Sequence, residues 1–166
     1  MAEKSMYPLT VGNKWTYKMK DGRTFFTQVM EEKDGTFFLS DSFTLTTARI
    51  KKSGDEYITD RYQQDTWQVA IKDNLKKGDT WQVSFRANGV DTTLVHVVKD
   101  LGLTKTVEGK TFTDVAMVEA ESKMSMNGRP IPMQFFTQYY YAPGIGLILT
   151  TTSTGDAMPL IQYEVK

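Results

Sequence analysis

His96 is the only histidine in the chain, so a nucleophile–histidine–acid relay or a histidine-rich metal site has one residue at most to draw on. It stands at strand spacing with Leu94 and Val98, which puts the three side chains on one face. A lone histidine on an apolar face reads as a core or cavity-lining residue, and His96 is therefore a candidate ligand contact and not a catalyst. Glu119 and Glu121 alternate onto one face of the run Val115 to Lys123, and paired carboxylates can cleave glycosidic bonds by acid–base chemistry. Positions i and i+2 on a strand lie about 7 Å apart, the spacing of a solvated row as well, so a hydrolase using Glu119 and Glu121 ranks last among the readings. Asp55, Glu56, Asp60 and Asp65 lack the glycine and terminal glutamate of a calcium loop. Gly144-Ile145-Gly146 lacks the further glycine and flanking elements of a nucleotide fingerprint; Pro143-Gly144 fits the centre of a type II turn instead. Cysteine is absent, which removes thiol catalysis, thiolate metal sites and disulfides. No catalytic residue, metal or cofactor is expected.

Aromatic side chains carry the strongest recognition signal. In the run Gln134 to Tyr141, Phe135, Thr137, Tyr139 and Tyr141 project to one face, and Phe136, Gln138 and Tyr140 to the other. Such a strand is central to a two-layer core or lines a cavity, where tyrosine offers an apolar body and a hydrogen-bonding tip. Tyr139, Tyr141 and Phe135, with His96, are the expected ligand-binding residues. The loop Met124 to Met133, rich in Met and Pro, suits an adaptable protein contact instead.

These residues need strands to hold them. Gly follows Asp, Ser, Asn, Glu or Thr at Asp21-Gly22, Asp34-Gly35, Ser53-Gly54, Asn88-Gly89, Glu108-Gly109, Asn127-Gly128 and Thr154-Gly155, and such pairs favour the positive φ angles of tight hairpins. Between them lie short runs rich in Thr, Val, Phe, Tyr and Trp, as in Trp81, Val83 and Phe85 alternating with Gln82, Ser84 and Arg86. The only helical candidate is Gln68 to Lys76, a stretch that reads equally as loop or strand. About ten strands without long helices to cover them predict an all-β antiparallel sheet, curled into an open barrel or folded as a two-layer sandwich. Residues 1–166 read as a single domain with two similar halves, 7–74 and 75–166, because Leu9-x-x-Gly12-Asn13-x-Trp15 recurs as Leu75-x-x-Gly78-Asp79-x-Trp81. In each copy the Gly-Asn or Gly-Asp turn would launch a strand with Leu and Trp plugging the core.

Lys plus Arg and Asp plus Glu total 20 each, and no basic run exceeds Lys51-Lys52 or Lys76-Lys77, which argues against nucleic acid. The longest apolar stretch, Gly144 to Leu149, is far short of the roughly 20 residues of a membrane helix. Met1-Ala2-Glu3-Lys4-Ser5 shows no leader pattern, as in a cytosolic protein or a lipoprotein trimmed behind its acylated cysteine.

Tyr7-Pro8-Leu9-Thr10-Val11-Gly12-Asn13-Lys14-Trp15-Thr16-Tyr17, Lys77-Gly78-Asp79-Thr80-Trp81, the stretch Val107 to Val115, and Tyr139-Tyr140-Tyr141-Ala142-Pro143-Gly144-Ile145-Gly146-Leu147-Ile148 occur in this order. Together they resemble a broad group of uncharacterised exported bacterial β-domain proteins, often lipoproteins, with a P-L-x-x-G-N-x-W-x-Y start and a Y-x-x-G-x-G-L close. The resemblance spans most of the chain and rests on turn and core residues. It implies a shared fold and a periplasmic or outer-membrane-anchored home, and it brings no catalytic residues with it. The expected function is non-enzymatic binding of a small hydrophobic molecule, a glycan or a protein partner through an aromatic-lined cavity or face, by a monomer. The alternative is a protein–protein interaction module: an inhibitor, immunity or envelope assembly protein.

Overall fold

The computed structural model describes residues 4–166. Its regular structure among those residues is entirely strand: β1 (Lys14–Lys18), β2 (Thr24–Lys33), β3 (Thr36–Asp41), β4 (Thr46–Ser53), β5 (Glu56–Gln63), β6 (Thr66–Lys72), β7 (Thr80–Ala87), β8 (Val90–Val107), β9 (Lys110–Met126), β10 (Arg129–Ala142), β11 (Gly146–Thr152) and β12 (Ala157–Glu164). No helix among the described residues is long and apolar enough to cross a membrane. The strands form one antiparallel sheet in the order β6-β5-β4-β3-β2-β1-β12-β11-β10-β9-β8-β7, curled until β5 and β6 lie against β7. The count is two above the expected ten. β6 occupies the first part of the segment left open between helix, loop and strand.

Local chemistry sets this meander. At Asp34-Gly35, Asn88-Gly89, Glu108-Gly109 and Asn127-Gly128 both central residues have positive φ, the twist-matched two-residue hairpin turn. The two copies of the internal repeat fold alike. Gly12 and Gly78 adopt φ of 97° and 95°, and their N–H groups donate to the carbonyls of Val29 and Val98, each at 2.9 Å. The next residue's carbonyl then accepts from the same valine's N–H, at 2.8 Å for both Asn13 and Asp79. Trp15 and Trp81, two positions on, are buried.

Odd and even strands run in opposite senses, so the hairpins at 42–45, 64–65 and 153–156 gather at one end of the barrel, the mouth. The turns at 73–79 and 143–145 lie at the other. That far end is closed by the segment ahead of β1. Met6 is buried, and its N–H donates to Asp73 Oδ1 at 2.9 Å. Tyr57 donates to Asp73 Oδ2 at 3.0 Å, Lys52 pairs with the same oxygen at 2.8 Å, and the Ser5 hydroxyl bonds the Tyr57 hydroxyl. Pro143-Gly144 makes the expected turn, with Ile145 N–H on the Ala142 carbonyl at 3.0 Å and φ of 81° at Gly144. Gly144 N–H in turn donates to the Ser5 carbonyl at 2.7 Å.

Two features had no sequence signal. The β8–β9 hairpin is far longer than expected and bends at irregularities between Val98 and Lys105. Its tip then crosses the outer face of the sheet: Lys105 sits over the Tyr140 ring at 4.7 Å, Phe112 packs against Tyr163 at 6.2 Å, and Glu108 pairs with Lys18 at 2.9 Å. This arm buries Val107 and Phe112.

The second feature is the seam between β6 and β7. Gln68 Nε2 donates to the Ser84 carbonyl at 2.9 Å and Gln68 Oε1 accepts the Ser84 N–H at 2.6 Å. Gln63 Oε1 accepts the Arg86 N–H at 3.0 Å. A side-chain amide has the donor and acceptor of a peptide group, so these glutamines replace missing ladder rungs. Replacing Gln68 with alanine is expected to destabilise the protein by about 1 kcal/mol and to speed hydrogen exchange selectively at the Ser84 amide; an unchanged exchange rate there would show that the seam is held otherwise.

Candidate ligand-binding cavity

Alternation along the strands sends one face of each into the barrel. Below the middle it is filled: Ile71 and Ile148 are fully buried, and Val29, Val98 and Val118 nearly so. Toward the mouth the inward positions change to Thr46, Thr59, Thr137, Thr150 and Thr152, with Ala48 and Ala70. Short side chains cannot meet across the barrel. They leave a cavity of about 450 Å³, a size typical of small-molecule sites.

Its walls mix apolar groups with phenols. Tyr7 comes from the closing segment, Tyr17 from β1, Tyr62 from β5, and Tyr139 and Tyr141 from β10. Tyr17 donates to the Leu147 carbonyl at 2.8 Å, and the Trp15 indole N–H to the Ile145 carbonyl at 2.6 Å, which fix the two rings to the β10–β11 turn and β11. Trp15 supports Tyr7 at 5.5 Å between ring centroids. Burial pushes Tyr7 and Tyr139 up to about 12 and raises Tyr17 and Tyr141 well above their usual range. All four phenols are therefore neutral at physiological pH, and Tyr17, whose O–H is committed to Leu147, can still accept a hydrogen bond.

His96 is almost wholly buried in the cavity wall. It stacks on Trp81 at 5.3 Å and 7° and faces Tyr139 at 6.1 Å. Burial lowers it to about 4, and the backbone groups of Leu94 and Trp81 offset this only in part. Its Nδ1 and the Trp81 indole N–H have no hydrogen-bond partner among the described residues.

Among the described residues, the charged side chains that line the cavity are Asp41 and Arg61. Asp41 ends β3, and its Oδ1 accepts the Phe43 and Thr44 N–H groups at 2.8 and 3.1 Å, as a turn-capping aspartate does. Arg61 follows Tyr57 and Thr59 at strand spacing and so points inward. Its side chain is exposed and lines the cavity. Burial opposes its charge, but the oxygens of Tyr62, Tyr7, Tyr139 and Tyr141 outweigh this and raise it above the usual arginine range. Its guanidinium lies 5.6 Å from the Tyr62 ring. Among the described residues it has no carboxylate within ion-pair distance.

Tyr139, Tyr141 and His96 thus lie together on the cavity wall, whereas Phe135, on the same face of β10, does not reach the lining. Glu119 is on the outer surface, accepting from Gln138 Nε2 at 2.9 Å and lying 4.0 Å from Lys99, with Glu121 on the same face of β9. Asp60 and Asp65 are bound to Arg49, each at 2.8 Å. No group of three or more His, Asp or Glu side chains among the described residues is placed to hold a metal. Sequence reasoning missed Arg61, Tyr62, Asp41 and Tyr7. The alternation Tyr57, Thr59, Arg61 was the available signal for the first.

Fold and cavity together define a class: a curled antiparallel β-barrel, plugged at one end, with a mixed apolar and phenolic interior. Two solved structures share the fold. One is a candidate lipoprotein from Parabacteroides distasonis, 13 % identical, with 99 % of this chain and 100 % of that chain covered and a TM-score of 0.64. The other is a candidate exported protein with a YmcC-like fold from Bacteroides fragilis, 12 % identical, with 97 % of this chain and 99 % of that chain covered and a TM-score of 0.60. No protein-family model matches the chain, and no curated protein matches it significantly.

Proposed function

We propose that this chain is a non-enzymatic carrier or sensor that binds a small, largely hydrophobic molecule in the barrel interior, and that it works in the bacterial cell envelope, as a lipid-anchored or periplasmic monomer. The observation that carries the reading is the cavity of about 450 Å³ lined by both apolar groups and neutral phenols. At the roughly 30 Å³ that a water occupies in the liquid, it has room for about 15 non-hydrogen atoms. A void of this size forfeits dispersion contacts and core burial, a cost that a bound ligand would offset. The envelope location rests on the motif resemblance and on the descriptions of the two structural neighbours as exported or lipoprotein candidates.

Native mass spectrometry of the protein purified from its own host tests the reading. A small adduct is expected that is lost on denaturation, and absent from an Ala48→Phe variant in which a ring fills the void. A bare chain that also fails to take up decanol would overturn it.

A further inference from the structure

We infer that the ligand is a single-chain amphiphile with a carboxylate head, its head held by Arg61 and its chain lying among the apolar groups deeper in the barrel. This rests on the reading of the cavity as a binding site and goes on to name what it takes. A guanidinium that lines a cavity without a carboxylate partner leaves its N–H donors free for an anion that enters. Arg61 has none within ion-pair distance among the described residues. It lines the cavity together with Tyr7, Tyr62, Tyr139 and Tyr141. A planar fork of N–H donors fits a carboxylate in bidentate fashion, and the phenols can add hydrogen bonds to the same oxygens without adding repulsion.

Position supports this assignment. Arg61 lies near the end of β5, just ahead of the mouth hairpin at 64–65, and Tyr62, Thr46 and Thr152 line the same cavity. Leu39, Ile50, Val118 and Leu147 line other parts of the wall. A cationic group near the mouth and apolar side chains elsewhere on the wall suit an amphiphile with an anionic head. The only carboxylate among the described lining residues, Asp41, has one oxygen occupied by two backbone N–H groups. Its charge would oppose an anionic head, which makes it a control.

The test is calorimetric titration of the full chain, stripped of retained ligand over a hydrophobic resin, with decanoate, decanol and decyltrimethylammonium, which share a chain and differ in the head. The wild type is expected to bind decanoate about tenfold or more tighter than decanol. Arg61→Leu should bind the two alike, and Asp41→Asn should bind decanoate several-fold tighter. Equal binding of decanoate and decanol by the wild type, or a preference for the ammonium, would overturn the carboxylate assignment and leave the cavity reading standing. Failure of all three to bind would remove both. The wild-type comparison decides even where Arg61→Leu does not fold, and Arg61→Lys, which keeps the charge and loses the fork, should lie between the two.

Discussion

Lowering the pH from above 6.5 to about 4 is expected to cost the native protein roughly 3 kcal/mol through His96 alone. In the unfolded chain the imidazole takes its proton near 6.5, whereas burial in the folded barrel holds it down to about 4. Between those values the unfolded state binds more protons, so stability falls as the pH falls. The contribution is complete above 6.5 and lost on descent through the folded value. The gap of about 2.5 pKa units corresponds, at 1.36 kcal/mol each, to the stated magnitude. Carboxylates titrate in the same range, so the effect is read as a difference: denaturant unfolding of the wild type and of His96→Phe, which keeps a ring between Trp81 and Tyr139, at pH 7 and pH 4. The wild type should lose about 3 kcal/mol more than the variant. Equal losses would show that His96 is not held neutral.

Replacing Asp73 with alanine is the second large effect, with an expected loss of about 3 kcal/mol. Burial by itself would push this carboxyl up, but Lys52, the Met6 N–H and the Tyr57 hydroxyl hold it below its usual range. Truncation leaves the Met6 N–H and the Tyr57 hydroxyl without their acceptor at the closed end of the barrel, each worth about 1–2 kcal/mol. The Lys52 ammonium is half exposed and returns to water at little cost. Asp73→Asn, which keeps an acceptor, should lose about half as much. Denaturant unfolding gives the totals, and faster exchange of the Met6 amide would locate the loss. An alanine variant within 1 kcal/mol of the wild type would mean that the closing segment is held by packing.

The all-β class, most strand positions and the hairpin turns were legible because each depends on neighbours in sequence: Asn-Gly and Asp-Gly pairs, alternation and the repeated Gly-Asn or Gly-Asp turn. β6 was ambiguous for a local reason as well. The turn before it, Gln64-Asp65, puts a non-glycine residue, Asp65, at φ of 58° and so carries no glycine signal. The bend of the β8–β9 arm was not legible, because what makes it worthwhile is apolar surface on strands far away in sequence. At the site, alternation correctly grouped Tyr139 with Tyr141, and His96 with an inward face. Phe135 shares that alternation but not the depth, which only the finished barrel defines. The void itself had no signature, since a run of threonines and alanines on inward faces becomes a cavity only when opposite walls fail to meet.

The strand order gives the chain ends an unusual duty. β1 and β12 are neighbours in the middle of the sheet, and Asn13, wholly buried, accepts the Lys166 N–H across 153 residues of sequence. Every other backbone ladder joins strands consecutive in the chain, so this one carries nearly all the loop-closure entropy of the fold. Each six-stranded meander can zip from its own hairpins, and the barrel becomes a barrel only when its two ends find each other. A truncation that removes β12 therefore withdraws a central stave, and the two halves part along the line where the molecule is most continuous.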